Sequence, residues 1–295
     1  LSMDAMADFL RQTAKSNGIP LTHAALVLPS TEVFTRELVM PAMTEQQLLY
    51  NLPYEFRDYL TEEKNKYFFD YSMREVLRDE SGQPTEMNLL ACATLKGTVE
   101  SYRTMLRRAG FRLRVLTPSE CAYSAVLQAY YRRTQQEGHD LCVVNLGHSA
   151  TFLYIYRGGH FASRREIEVG VSDLEHLVAD QCSVDVHVPH EYVRQNYNHV
   201  LESEQARELY GRIAVEVVKA VNFFNYNNRE RELTQLCLCG GGSAIQPLYD
   251  TIADTTGMTL HTSAELLGQR MSTEEPWMYL RAIGGVDLGI KGGLQ

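Results

Sequence analysis

Residues 140–170 read DLCVVNLGHSATFLYIYRGGHFASRREIEVG. The apolar run Asp140–Leu146 ends in a turn of small residues. A second apolar run starts at Thr151, and after Gly158-Gly159 comes a third. The pattern predicts three consecutive strands joined by two tight turns. In the first turn Gly147, Ser149, Ala150 and Thr151 are small, and successive backbone N–H groups in such a turn form a concavity for an anion. Where such a loop usually carries an acid, this one holds Asn145. An aspartate there would help to hold hydrated Mg²⁺ beside a phosphate, whereas an amide brings no charge.

A second turn of the same kind lies downstream. LTQLCLCGGGSAIQPLYDTIADTTG, residues 233–257, reads as strand, glycine turn and helix. Gly240, Gly241 and Gly242 let backbone approach a ligand with no Cβ in the way. From Ser243 the helix begins, and its first N–H groups favour an anion or a polar group. Strand–glycine–helix turns serve purely structural ends in many α/β proteins, so the order of the two turns is the informative part.

Working outward, MDAMADFLRQTAKSNG is a helix with Ala5, Phe9, Leu10 and Thr13 at helical spacing. THAALVLPS and EVFTRELVMP are strands, the second alternating Val33, Thr35, Glu37 and Val39. Thr44 caps a helix running towards Leu60, with Gln47 at the capping-box position and Pro53 expected to kink or re-nucleate it. KYFFDYSMREVL and MNLLACATL form a hairpin, followed by a helix ending at Gly110 and the strand FRLRVLTP. Residues 31–116 thus read as a small α+β module. A helix, SECAYSAVLQAYYRRTQQEG, leads into Asp140. After Gly170 come a helix, an irregular connector rich in His and Tyr, and a long amphipathic helix. Its stripe is Leu209, Ile213, Val217, Val221 and Phe224.

This order resembles the actin-like ATPase superfamily. Within it the resemblance is closest to the family of the type IV pilus assembly protein PilM, and next to that of the cell-division protein FtsA. Residues 143–180 match the second phosphate loop and its hairpin, and residues 237–260 match the adenosine loop. HAALVLPSTEVFTRELVMPAMTEQQL is the stretch that discriminates between families. The implied fold class is α/β, an actin-like (ribonuclease H-like) two-lobed fold with an inserted α+β subdomain. By resemblance, residues 1–30, 117–139 and 275–295 belong to the first lobe, 31–116 to the inserted partner-docking module, and 140–274 to the second lobe. Family members open with a hairpin carrying a D-x-G phosphate loop. The expectation is that about two to three strands of the first lobe do not appear in this chain.

The resemblance implies ATP with Mg²⁺ as the ligand of Asn145, Gly147, His148, Ser149, Ala150 and Thr151 together with Gly240, Gly241, Gly242 and Ser243. Neutral Asn145 implies that metal and ATP are held weakly or lost. His148, at a position that usually holds a small residue, would crowd the phosphates or turn to solvent, and the second is expected. The two turns are expected to face each other across a cleft. The implied function is a cytoplasmic scaffold of pilus assembly, or of a related secretion or competence machine, on the inner face of the membrane. It would dock the N-terminal tail of a PilN-like membrane protein in a groove of the module and first lobe, alongside other pilus assembly proteins. The competing readings are an active kinase or ATPase of this superfamily, and an FtsA-like filament. The first needs metal electrostatics and a carboxylate base. The second needs a C-terminal amphipathic tether; WMYLRAIGGVDLGI opens as a terminal helix, but GGVDLGIKGGLQ with its five glycines is not expected to form such a tether.

Bulk properties agree. The 295 residues, 44% hydrophobic and 22% charged, suit an ordinary globular protein of two lobes. A net charge of −9 argues against nucleic acid as a general partner, the arginines between Arg103 and Arg114 being read as a solvated helix face. No apolar run approaches the length of a membrane span. The scattered cysteines 92, 121, 142, 182, 237 and 239 form no C-x-x-C pair, which fits reduced thiols in a cytoplasmic protein. His187 and His190 bracket a proline with no cysteine nearby and are read as loop residues, not zinc ligands.

Overall fold

The computed structural model describes residues 2–136, 138–185, 188–270 and 273–291. The chain divides into two compact units, Leu1–Ala125 with Arg281–Gln295, and Val126–Leu280.

In the first unit, α1 (Met3–Ser16) starts at Ser2, whose hydroxyl accepts from the Ala5 N–H at 3.2 Å. Strands β1 (His23–Leu28) and β5 (Arg112–Pro118) pair in parallel. On one face of this pair α1 packs with α3 (Lys96–Ala109), where Ala7, Met105, Leu106 and Ala109 bury against Ala24 and Leu113. Of the predicted stripe Leu10 packs against this cluster, beside Ala7, whereas Phe9 is exposed. On the other face lies α10 (Leu280–Lys291), close to Ala25, Val27 and Val115. That helix is the terminal one expected in WMYLRAIGGVDLGI. GGVDLGIK is helical because Gly284 and Gly285 permit close packing against neighbouring backbone and strand, which offsets their low propensity.

Between β1 and β5 the chain builds an antiparallel sheet of order β2-β4-β3, from β2 (Phe34–Pro41), β3 (Tyr67–Arg78) and β4 (Pro84–Leu95). Helix α2 (Glu45–Glu55) covers one face, laying Leu48, Leu52 and the following Phe56 on Leu38, Met40, Met87 and Leu89. Its capping box is formed by Thr44 and Gln47. The helix ends at Glu55, two residues beyond Pro53, and is not re-nucleated. The buried face of β2 is Leu38 and Met40, while Val39 is exposed. Both residue sets alternate, and only the position of α2 chooses between them.

The second unit is one five-stranded sheet of order β10-β9-β6-β7-β8. Its members are β6 (Asp140–Leu146), β7 (Thr151–Arg157), β8 (His160–Ile167), β9 (Gln235–Cys239) and β10 (Thr259–His261). Three antiparallel strands followed by two parallel ones added on the other side of β6 form the actin-like, ribonuclease H-like arrangement. Every residue of β6 is buried, as a central strand covered on both faces requires. Helix α4 (Ser119–Thr134) leads into β6, and α5 (Val171–Cys182) follows β8. The connector holds α6 (Pro189–Gln195) and an irregular turn, Tyr197–Glu202, with Asn198 and His199 in the left-handed region. The predicted stripe of α7 (Glu204–Asn227), Leu209 through Phe224, is buried on the sheet. Then come α8 (Gln246–Thr256) and α9 (Ser263–Leu267). All six cysteines are free.

Candidate functional site

The two turns lie side by side. Strands β6 and β9 are parallel neighbours with Asn145 opposite Cys239, so both end at the same edge of the sheet. The chain leaves β6 towards β7 on one side, and β9 later adds on the other. Such a switch point, at the carboxyl ends of parallel strands, is where open α/β sheets bind ligands.

They touch directly, Gly240 and Gly242 meeting the Asn145–Leu146 end of β6. Gly240 has φ +84° and ψ 170°, and a Cβ there would run into Asn145 Oδ1 and lie 2.7 Å from the Leu146 carbonyl oxygen. A Cβ on Gly242 would lie 2.7 Å from Leu146 Cβ and 3.1 Å from Val171 Cγ2. These glycines are required by contact between the turns. Gly241 is different, with nothing within 4 Å of a Cβ built on it. Asn145 is buried, its carboxamide oxygen against Gly240.

The small-residue turn closes on itself through the Gly147 N–H, which donates to the Ala150 carbonyl at 3.1 Å. Two of its carbonyls are taken by the start of α5, where the Val171 N–H donates to Gly147 O at 3.0 Å and the Ser172 N–H to His148 O at 2.8 Å. Among the described residues, the N–H groups of His148, Ser149 and Ala150 have no intramolecular acceptor, as an anion site requires. Thr151 turns away from this task, its hydroxyl donating to the Val169 carbonyl at 2.9 Å. Among the described residues, the buried Oγ of Ser243 has no hydrogen-bond partner. Its backbone N–H donates to Gly240 O at 3.1 Å.

One supporting residue escaped the sequence reading. A Cβ on Gly170 would collide with the His148 carbonyl and lie 2.7 Å from the Ala150 nitrogen, so this glycine lets α5 press against the turn. The signal was a glycine at a strand end immediately before a helix. Gly170 N–H is itself tied down by Asp173 Oδ2 at 2.8 Å. Beneath the turn lies apolar packing from Val171, Leu174, Leu209, Ile213 and Leu248. Tyr210 is buried there too, and burial, helped by Glu202, raises its hydroxyl further above the ordinary phenol range.

The His148 side chain is exposed, its Nδ1 4.0 Å from Glu175 Oε2. His190 opens α6 and bonds the same Glu175, while His187 lies outside the described residues. Among the described residues no group of His, Cys, Asp and Glu is arranged to hold a metal ion. No described helix is long and apolar enough to cross a membrane.

The open space at Gly241 gives a test of the site that spares the fold. Gly241→Trp is expected to change unfolding free energy by less than about 1 kcal/mol, as surface substitutions do. It should abolish nucleotide binding measured by fluorescence of a labelled ADP. Gly147→Trp is a poorer probe, because a Cβ there lies 2.6 Å from the Ala150 carbonyl that closes the turn.

The family described as "Type IV pilus assembly protein PilM" matches residues 1–275. Among solved structures, the chain is similar to a PilM-PilN type IV pilus biogenesis complex, with a TM-score of 0.78 and 18% identity over 98% of this chain and 85% of that one. It is also similar to the ethanolamine utilization protein EutJ from Carboxydothermus hydrogenoformans, with a TM-score of 0.47 and 13% identity over 66% and 62%. A third similarity is to Ta0583, an archaeal actin homologue, with a TM-score of 0.45 and 15% identity over 62% and 57%. No curated protein matches. At 18% identity the first of these similarities is one of fold.

Proposed function

The chain belongs to the family of the type IV pilus assembly protein PilM, and from that premise we propose that it is a docking scaffold with a degenerate nucleotide site. Its occupant would be the cytoplasmic N-terminal tail of a PilN-like membrane protein, held in extended form on the unit that carries the β2-β4-β3 sheet. An extended tail gains main-chain hydrogen bonds for affinity and side-chain pockets for specificity. The observation that carries this reading is the family match over residues 1–275.

The nucleotide site is degenerate because of what stands at its centre. Asn145 is neutral, and its carboxamide oxygen is packed on Gly240. Phosphoryl transfer relies on metal ions to neutralise developing charge, and this side chain brings none. ATP binding therefore persists weakly or is lost, and hydrolysis is absent or very slow. The net charge of −9 disfavours anionic lipid, so recruitment to the inner face of the membrane falls to the protein partner.

The test uses the purified chain and a fluorescent peptide of the partner's tail. Saturable binding is expected, lost with a scrambled peptide and unchanged by Gly241→Trp. No binding to anionic liposomes is expected without the partner. Liposome binding by the chain alone, or no preference for the authentic tail, would sink the scaffold. ATP turnover at about 1–100 per second, ordinary for kinases, would sink the degenerate site.

A further inference from the structure

The two turns lie where β9 ends, and at the strand's other end, where the chain enters it, the same unit carries an open pocket of about 170 Å³. It is formed by the C-terminal part of α7, the end of α8 and the segment leading into β9. Its walls are apolar: Val221 and Leu233 are buried, and Val218 and Met258 are half-buried. Its exposed lining is polar and includes Asn222 and Glu232.

The charge around the pocket is one-sided. A helix C-terminus carries partial negative charge, which a Lys, Arg or His in the last turn commonly offsets. Neither α7 nor α8 has a basic residue there. The Gly257 N–H closes α8 on the Ala253 carbonyl at 3.1 Å. Among the described residues, the carbonyl oxygens of Asp254, Thr255 and Thr256 accept no hydrogen bond. Glu232 likewise has no ion pair or hydrogen bond among them. The cations nearest in sequence are engaged elsewhere. Lys219 pairs with Glu216 at 2.7 Å, Arg231 lies 3.4 Å from Asp140, and Arg229 sits over the Tyr226 ring at 5.1 Å.

We propose that this pocket receives a lysine or arginine side chain from a basic segment of a partner protein. Such a side chain is an apolar stem with a charged head, which matches apolar walls under an uncompensated negative rim. The stem packs on Val218, Val221, Leu233 and Met258. The head donates charge-assisted hydrogen bonds to the Glu232 carboxylate and to the free carbonyls at the end of α8. A purely apolar anchor would desolvate these acceptors without giving them a donor, which is unfavourable. An acidic anchor would be repelled. Phe223 and Tyr226, exposed on the adjoining face of α7, offer aromatic surface to the residues on either side of the anchor. The net charge of −9 draws a basic segment towards the chain. None of this depends on the docking of a membrane-protein tail, which the proposed function assigns to the other unit.

The experiment titrates acetyl-Leu-Arg-Leu-amide into the full chain at physiological ionic strength. NMR follows the Gly257 amide and the Met258 methyl. A control peptide carries citrulline in place of arginine, which keeps the length of the side chain and removes its charge. Saturable shifts at both positions are expected, with the arginine peptide bound about tenfold more tightly than the control. Glu232→Gln should weaken the arginine peptide about threefold to fivefold and leave the citrulline peptide unchanged. Asn222→Trp, on the exposed side of α7, should abolish binding while unfolding at the temperature of the parent. Equal affinity for the two peptides would make this a plain apolar groove and overturn the proposal. Absence of binding, shifts confined to other residues, or unchanged affinity in Glu232→Gln would overturn it as well. So would shifts at Gly257 and Met258 that grow with protein concentration alone, because a second copy of the chain would then fill the pocket.

Discussion

Gly240→Ala is expected to destabilise the Val126–Leu280 unit by about 3 kcal/mol or more and to abolish nucleotide binding. Two costs add. The backbone at φ +84° and ψ 170° lies in a region that is essentially reserved for glycine. The new Cβ also meets the Asn145 carboxamide oxygen and, at 2.7 Å, the Leu146 carbonyl. The parts can be separated by a double-mutant cycle with Asn145→Ala. Removing the carboxamide relieves one collision and leaves the backbone strain and the carbonyl, so recovery of about 1 kcal/mol is expected. Denaturant unfolding followed by Tyr fluorescence gives both quantities. A Gly240→Ala protein as stable as the parent would mean that the two turns do not touch as described.

The second large effect belongs to the other unit. Gly284→Ala is expected to cost about 3 kcal/mol, the upper range for overpacking. A Cβ there would overlap the Ala122 carbonyl oxygen of α4 and lie 3.0 Å from Ala122 Cα. Neither atom belongs to a side chain that can swing aside, so α10 must move. Gly289→Ala in the same helix is the control. Its Cβ would meet Val115 Cγ2 at 3.4 Å, an ordinary contact. Alanine is the better helix former by about 1 kcal/mol, so this variant should be as stable as the parent or more so. Equal losses at both positions would refute the close approach of α10 to α4.

These glycines also mark where the sequence was legible and where it was not. The strands β6 to β8 and the α7 stripe could be read because their signals are local, a period of two or of 3.6 bounded by glycine. Thr44 and Gln47 announced α2 in the same way. The terminal helix was expected, but the packing role of Gly284 and Gly285 within it could not be read. Whether a glycine breaks a helix or lets it pack depends on a partner, and Ala122 is remote in the chain. The face of β2 had the same difficulty, since two alternating sets were available and only α2 decides which is buried. The helix α6 is short, and Asn196 and His199, at φ 48° and 57°, interrupt the pattern around it. In the site, Asn145, Gly147 and the triple glycine could be read from composition. The Glu175 contacts could not, because α5 and α6 bring them to the turn from further along the chain.

The placement of β6 at the centre of its sheet governs how this unit is made. Its partner β7 follows at once, so β6 to β8 can form a meander as they leave the ribosome. The other edge of β6 waits for β9, after roughly 90 residues that take about 5–20 s to synthesise. During that interval an apolar strand whose residues are all buried in the finished protein presents a bare edge to the cell. Until Cys239 emerges, the nascent chain is at its most vulnerable to pairing with another copy.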